Sequence, residues 1–179
     1  MLTSLSYFIA VTGVAECVAV ALEDNIPNGT LGRPERVCGV PGPEIPWDGC
    51  DPGCGGQLAV AIQHGPFPSV RFPTEVIEDA TAGGCQLGAT AVRCIVSLTR
   101  CQYHPQGQLD AKRYPTPAEQ TAAMRLQQVE GYYMRQAIQC CLFDMKRVYL
   151  IDDYRMSSND TAVNGACGEV SVVFLINVV

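Results

Sequence analysis

Charged side chains are scarce in this chain, and basic ones are the scarcer kind. Lys and Arg number 12 against 18 Asp and Glu, so the formal net charge is −6, and charged residues make up 17% of the 179 residues, compared with about 25% in soluble domains. A protein that binds duplex nucleic acid through its phosphates needs an excess of basic residues. Because 47% of the residues are hydrophobic, the low charge does not indicate an intrinsically disordered chain.

Sequence motifs of the common enzyme classes are missing as well. There is no G-x-S-x-G motif for a serine nucleophile. The Gly-rich run at residues 53–56 precedes a predicted strand rather than a helix, so it lacks the geometry that binds phosphate. No C-x-x-C pair occurs, and His64 and His104 are not at the spacing of zinc ligands. We therefore expect a protein that is not an enzyme and has no catalytic residues, cofactor or metal ion.

Two residue pairs are candidates for chemistry, and each has a simpler interpretation. Cys101 and His104 could form a nucleophile and base, but residues three apart at a strand end are more often loop residues. Asp152 and Asp153 could bind a cation, although beside Arg155 they are more typical of a solvated strand end. Neither pair changes the expectation of a non-catalytic protein.

Cysteine, in contrast, is abundant, with ten residues. That is a low share for a small disulfide scaffold and a high one for a cytosolic enzyme. Disulfides, metal ligands and small buried side chains are the three open interpretations. Cys94 lies in an apolar stretch and is expected to be a buried free thiol. Disulfides that pin loops are plausible for four cysteines beside glycines, and the pairing is not readable from the sequence: Cys50, Cys54, Cys85 and Cys167.

The N-terminal segment predicts a helix over residues 1–24 that is retained in the protein. It has no basic n-region and no clean signal-peptide cleavage site, and it is too short and too polar for a membrane span. Thr3 or Ser4 would cap this helix. The side chains expected to be buried are Leu5, Phe8, Ile9 and Val14.

Residues 25–56 are rich in proline and glycine, which excludes a helix or a central strand. A loop of this length is either functional or disordered. Because the segment contains the only tryptophan, Trp47, and several cysteines, we expect it to be ordered and packed on the rest of the protein.

Alternating or continuous apolar stretches predict strands in the remaining chain. A turn at residues 157–160 would separate the last two. The final strand is apolar on both sides, which is typical of a strand in the middle of a sheet or one covered by a partner. The predicted strands are 57–63, 88–101, 148–155 and 167–179.

A long helix over residues 116–147 is the best-defined element. Thr116 and Glu119 fit a capping box with Pro117 at the first helical position. Tyr132 and Tyr133 are expected at the core and its rim, where an oligomer interface could use them. The apolar stripe that recurs every three or four residues consists of Ala122, Leu126, Val129, Tyr133, Ala137 and Cys141.

The order of these elements predicts an α+β fold, with a mostly antiparallel sheet and the long helix crossing one face. We expect one domain over residues 1–179, in which residues 57–179 form the sheet and its helix. The charge is uneven, because residues 1–90 carry a net −7 and residues 91–179 a net +1. Such asymmetry suits head-to-tail or ring-like assembly.

The sequence resembles the tail-terminator proteins of long-tailed phages, particularly the cysteine-rich neck proteins of phages that infect actinobacteria. The resemblance extends from about residue 2 to the C-terminus, and the predicted element order is similar too: an N-terminal helix, paired strands, a long helix and two closing strands. It rests on short runs: Val37-Cys38-Gly39-Val40-Pro41-Gly42, Trp47-Asp48-Gly49-Cys50, Cys54-Gly55-Gly56-Gln57-Leu58-Ala59-Val60, Phe72-Pro73, Gly83-Gly84-Cys85, Arg100-Cys101, Cys140-Cys141-Leu142 and Gly165-Ala166-Cys167-Gly168-Glu169-Val170.

This resemblance implies a structural virion protein without catalytic residues. Terminators form a homo-hexameric ring that caps the tail tube, ends polymerisation of the major tail tube protein and joins the head-completion (stopper) protein. DNA passes through the ring only as cargo, which agrees with the negative charge. The implied location is the phage neck, after assembly in the host cytoplasm, without membrane contact. The long Pro/Gly loop with its cysteines departs from shorter terminators and would be a staple or a head-side contact.

Other interpretations remain open at this point. A stopper or adaptor protein of the same neck has a similar size. A secreted, disulfide-bonded binding protein would use the cysteines differently and would be processed at its N-terminus. A small metalloenzyme would use some of the thiols as ligands.

Overall fold

The computed structural model describes nine stretches of the chain: residues 3–25, 33–40, 42–43, 45, 56–68, 72–74, 89–101, 116–164 and 167–178. Two helices and five strands lie within them. In chain order they are α1 (Thr3–Asn25), β1 (Arg36–Val40), β2 (Gln57–Pro68), β3 (Ala89–Cys101), α2 (Pro117–Arg147), β4 (Ile151–Asn164) and β5 (Cys167–Val178).

The five strands form one sheet in the order β1-β2-β3-β5-β4. Only β1 and β2 are parallel, and the other three pairs are antiparallel. The predicted α+β fold with a mostly antiparallel sheet is therefore confirmed. The strand at the C-terminus is also central, as predicted, because β5 lies between β3 and β4 and pairs with both.

The hydrophobic core lies between one face of the sheet and the two helices, which both cover that face. Alternate residues of β3 and β5 point toward the helices and are fully buried, and the register aligns them in cross-strand pairs such as Val96 with Val172 and Leu98 with Val170. Val14 of α1 and Ile138 of α2 pack onto them. The two-residue period read from the sequence thus selects the face that the helices cover.

Three boundaries differ from the sequence prediction, beginning with the loop over residues 25–56. Arg36–Val40 is a strand, and it lies at the edge of the sheet beside β2. An edge strand tolerates neighbouring proline and glycine, which a central strand does not. The remainder of that loop, with Trp47, lies almost wholly outside the described residues.

β2 continues past His64, where the sequence predicted its end, and runs to Pro68. Its pairing with β3 is irregular at His64 and resumes at Phe67, opposite Ala91. Gly65 has a φ of +121°, and a Cβ there would lie 2.9 Å from the carbonyl oxygen of Ala91. Glycine therefore allows a bulge rather than a strand end at this position.

The predicted turn at residues 157–160 is wrong, because these residues belong to β4, which begins at Ile151 rather than at residue 148. The pairing with β5 shifts between Met156 and Asn159. Turn-forming residues here produce a bulge within a continuous strand.

α1 matches the predicted span, but its predicted buried face is partly wrong. Val14 is buried, whereas Phe8 and Ile9 are 64% and 49% exposed. The face that packs consists of alanines, valines and one leucine: Ala10, Val11, Val14, Ala15, Val18, Ala19 and Leu22. The predicted cap at Thr3 or Ser4 and the side chain of Leu5 fall outside the description. Neither described helix is long and apolar enough to span a membrane.

Candidate interaction surface

The long helix α2 starts where the sequence predicts. The Thr116 side chain accepts a hydrogen bond from the Glu119 backbone N–H at 3.3 Å, and the Glu119 carboxylate accepts one from the Thr116 N–H at 2.6 Å. Pro117 occupies the first turn, and Lys146 and Arg147 lie in the last turn. The capping box and the favourable placement of charge support a helix of 31 residues, about 46 Å long.

Polar contacts fasten the middle of α2 to the sheet. Glu130 Oε1 lies 2.6 Å from Arg100 Nε of β3, and the two side chains are only 4% and 7% exposed. The Asn159 amide donates a hydrogen bond to the Gly131 carbonyl at 2.7 Å. Arg135 donates to the carbonyl of Ser157. Two of these contacts reach the bulged part of β4, so the bulge provides backbone and side-chain groups for α2.

Burial and the ion pair act in opposite directions on the pKa of Glu130. Burial raises the pKa of Glu130, while the charge of Arg100 and its hydrogen bond act to lower it. Arg100 is itself enclosed, since a Cβ at Gly56 would lie 2.8 Å from its Cγ. A charge that loses its partner in such a site has little access to water.

Disulfide Cys17–Cys141 joins α1 to α2, with the two Cα atoms 6.2 Å apart. Gly13 of α1, four residues before Cys17, lies against Met145 of α2, four residues after Cys141. The helices are therefore antiparallel. By the same pairing Asn25, at the end of α1, lies level with residue 133 of α2.

The N-terminal part of α2, Pro117–Val129, which we call the α2 arm, consequently extends past the end of α1. None of its residues is buried. The predicted apolar stripe divides here: Ala137 and Cys141 are buried as expected, but Ala122 and Val129 of the arm are exposed. Met124 of the arm is also 51% exposed.

A shallow groove of about 400 Å³ lies on the outer surface of α2 at the base of the arm. The Tyr132 and Tyr133 rings meet edge to face, with centroids 5.5 Å apart. Tyr132 is 63% exposed, and Tyr133 is half-buried and packs against the core from outside, so neither ring lies in the core as the sequence predicted for one of them. The groove is lined by Arg125, Gln128, Val129, Tyr132 and Tyr133.

A second apolar feature lies at the opposite end of α2, and we call it the corner: Val148 and Tyr149, which are 72% and 83% exposed. The Tyr149 N–H donates to the carbonyl of Lys146, and the Leu150 N–H donates to that of Met145. This is a Schellman cap, whose left-handed position is usually glycine. Tyr149 occupies it with a φ of +59°.

The other cysteine predictions have mixed outcomes. Cys94 is a buried free thiol, as predicted, and burial raises its pKa to about 12. Cys38 and Cys140 are free and exposed. Cys50, Cys54, Cys85 and the side chain of Cys167 are outside the described residues. The bridge between the described Cys17 and Cys141, which joins two helices, was not predicted because these cysteines are 124 residues apart.

The structure describes one of the two candidate pairs for chemistry. Asp153 is bound by Lys146 at 3.1 Å and by Arg155 at 2.9 Å, and Asp152 accepts a hydrogen bond from Asn177 at 3.2 Å. Burial acts to raise the pKa of Asp153, but the Lys146 hydrogen bond and the nearby positive charges outweigh it and lower that pKa. The pair is thus part of an ion-paired strand end. Cys101 belongs to β3, but its side chain and His104 lie outside the description.

Across the described stretches, no three His, Cys, Asp or Glu side chains are grouped so that they could hold a metal ion. No protein-family model matches the chain, and no curated protein matches it either. The candidate functional site is the exposed apolar surface of α2 and the corner that follows it. Reasoning from the sequence identified Tyr132 and Tyr133 but missed Tyr149, whose strained backbone has no signal in the side-chain pattern.

Proposed function

We propose that this chain is a structural protein of a phage neck, most specifically a tail terminator. In this role six copies form a ring that caps the tail tube, ends polymerisation of the tube protein and joins the head-completion protein. The ring acts through assembly, and it needs no catalytic residue or cofactor.

The fold supports this proposal through its order of elements. The resemblance implied an N-terminal helix, paired strands, a long helix and two closing strands, and the described chain has this order with one additional edge strand. An α+β fold occurs in many functional classes, so it supports the proposal without being specific to it.

The observation that carries the proposal is the pair of exposed apolar features on α2. The α2 arm lies at the N-terminal end of the helix, the groove with Tyr132 lies at its middle, and the corner follows its C-terminal end. A subunit with two different contact surfaces can assemble head to tail, and such assembly closes into a ring when the rotation per subunit permits it. This is the symmetry that a tube cap requires.

The net charge of −6 suits the same role. DNA crosses the neck without being held there, so the ring should bind phosphate weakly. A chain with more acidic than basic residues repels the DNA backbone at moderate ionic strength.

Tube assembly tests this function. The tail tube protein of the phage that encodes this chain is polymerised with increasing amounts of the purified protein, and tube lengths are measured by electron microscopy. A terminator shortens the tubes and is seen at one end of each. Tube lengths that stay unchanged at a molar excess of the protein would contradict the proposal.

A second candidate is a secreted, disulfide-bonded binding protein, and the Cys17–Cys141 bridge favours it. Disulfides of this kind are usual in oxidising compartments and rare in the cytoplasm. Mass spectrometry of the protein from its natural source separates the two candidates. A processed N-terminus with every cysteine oxidised would support the secreted protein, whereas an intact Met1 with several free thiols would support the neck protein.

A further inference from the structure

We propose that the thiols of Cys101 and Cys167 are oxidised to a disulfide that joins β3 to β5, as a second bridge in addition to Cys17–Cys141. The sequence alone does not give the pairing of these cysteines. The register of the sheet selects this pair, and the inference holds whether or not the chain belongs to a phage neck.

The register of β3 and β5 places the two cysteines directly opposite each other. The antiparallel pairing runs without a shift over eleven consecutive residue pairs, and the pair at one end is Cys101 with Cys167. Of the four cysteines in the described strands, only these two are register partners of each other. Cys38 and Cys94 each lie opposite residues of other types.

The hydrophobic core fixes this register. Leu98 of β3 and its register partner Val170 of β5 are 1% and 0% exposed, and they belong to the set of alternate residues that the helices cover. A slip by one residue would turn this apolar set to the other face of the sheet. Cys101 follows Leu98 by three residues in the same strand, so its position opposite Cys167 depends on pairs that the core maintains.

Directly opposed positions have the spacing that a disulfide needs. The Cα atoms of opposed residues in an antiparallel pair are about 4.5 or 5.5 Å apart, depending on whether the two residues exchange backbone hydrogen bonds. Disulfides form at Cα separations of about 4.4–6.8 Å. Opposed residues also share a face of the sheet. The backbone at Cys101 and Cys167 therefore meets the distance condition in either case.

The described Cys17–Cys141 bridge supports the same conclusion. Disulfides persist in oxidising surroundings, where other well-placed pairs of thiols are oxidised too. The two bridges would overlap along the chain, because Cys101 lies between Cys17 and Cys141. One bridge ties the helices to each other, and the other would tie two neighbouring strands of the sheet below them.

The oxidation needs a two-electron oxidant, and a low-molecular-weight disulfide such as oxidised glutathione is sufficient. One cysteine thiolate attacks a sulfur of the glutathione disulfide, forms a mixed disulfide and releases one glutathione thiolate. The second cysteine thiolate attacks the protein sulfur of the mixed disulfide and releases the other. The two protons lost by the protein thiols are taken up by the two glutathione thiolates, so the products are one protein disulfide and two glutathione thiols.

Peptide mapping of the wild-type protein tests the pairing. The purified chain is incubated with oxidised glutathione or with dithiothreitol, its free thiols are blocked with N-ethylmaleimide in denaturant, and it is digested with trypsin. Trypsin separates the two cysteines into peptides 101–112 and 156–179, neither of which contains another cysteine. We expect mass spectrometry to find these peptides linked after oxidation and separate after reduction.

Thermal denaturation measures what the bridge contributes. Cys101 and Cys167 are 66 positions apart, so a bridge between them closes a long loop in the unfolded chain. After oxidation, Cys101→Ser/Cys167→Ser should melt about 5–15 °C below the wild type. In dithiothreitol the two proteins should melt within about 2 °C of each other, because neither then has the bridge. A loss of packing alone would lower the melting temperature in both conditions.

The matched control is Cys38→Ser, at a free and exposed cysteine of β1. It should retain the linked peptides and the wild-type melting temperature. Peptides 101–112 and 156–179 that are both blocked at their cysteines after oxidation would overturn the inference, and so would either peptide linked to a different cysteine. A double variant that melts equally far below the wild type in both conditions contradicts a stabilising bridge. None of these results bears on tube termination, which the tube-length assay decides separately.

Discussion

At the scale of single residues, Arg100 and Glu130 determine how α2 lies on the sheet. Their ion pair joins β3 to the middle of the helix in a site with almost no exposure. A buried pair is weak support for stability when it is compared with apolar residues of the same size, but breaking it leaves an uncompensated charge. The pair therefore specifies where α2 docks more than how tightly it docks.

Removing one partner of the Arg100–Glu130 ion pair should lower the free energy of unfolding far more than replacing both partners by apolar residues. We expect Arg100→Met to lower the free energy of unfolding by about 3–5 kcal/mol, because Glu130 is then left in its buried site without the positive charge that offsets its burial. The double variant Arg100→Met/Glu130→Leu should recover most of this loss. Urea denaturation of the three proteins measures it, and a double variant less stable than the single variant would contradict the account.

The raised pKa of Glu130 also predicts a pH dependence. In the folded state Glu130 holds its proton above the ordinary value of 4.5, where the unfolded chain has released it. Its contribution to stability is therefore greatest below pH 4.5 and declines as the pH rises through the folded-state pKa. The stability of wild type minus that of Glu130→Gln should decrease across this window in urea denaturation. An increase over the same range would contradict the raised pKa.

At the scale of elements, the disulfide between α1 and α2 holds the helical layer together. It closes a loop of 124 residues, and cross-links across long loops restrict the unfolded chain most strongly. Because α1 and α2 pack side by side over one sheet face, the bridge also ties the two helices to each other within that layer.

Removal of this bridge should therefore destabilise the fold. We expect Cys17→Ser/Cys141→Ser to lower the free energy of unfolding by about 2–5 kcal/mol. The matched control is Cys140→Ser, at the free and exposed neighbour of Cys141, which should change stability by less than about 0.5 kcal/mol. Thermal denaturation without reductant compares the three proteins. Equal melting temperatures for the double variant and the control would show that the bridge does not form or does not stabilise.

Elements with a strong local signal were predicted well from the sequence. The capping box at Thr116 located the start of α2, and alternation located β3 and β5, since both patterns reflect interactions between neighbouring residues. β1 was missed because it is recognised as a strand only through its pairing with β2, farther along the chain. The full length of β4 was missed because the turn-forming residues 157–160 lie at a bulge in its pairing with β5. The exposed Phe8 and Ile9 show the same limit: which side of α1 packs depends on how closely α2 can approach.

The candidate site, too, was predicted from the sequence only in part. The tyrosine pair was found because its helix was found. The corner at Tyr149 was not predicted, because it depends on a backbone dihedral angle. The exposure of the α2 arm was not predicted either, because it depends on where α1 ends in space. Whether a surface stays exposed depends on which other elements pack over it, so it is known only from the packed structure.

At the scale of the whole molecule, the distribution of exposed apolar residues is the feature that bears on the proposed assembly. One sheet face and the inner sides of both helices form the core. Among the described residues, exposed large apolar side chains lie on both helices and at the corner: Phe8, Ile9 and Val20 of α1, Met124, Val129, Tyr132 and Phe143 of α2, and Val148 and Tyr149. Head-to-tail association would cover two different parts of this surface in each copy.

The symmetry of the assembled particle tests this account most directly. Purified protein, alone and at the end of tubes of the tail tube protein, is imaged by electron microscopy, and its mass is measured by native mass spectrometry. The account predicts a closed ring of six-fold symmetry, with six times the mass of the chain. A particle that remains monomeric at micromolar concentration, both alone and beside the tube protein, would contradict it.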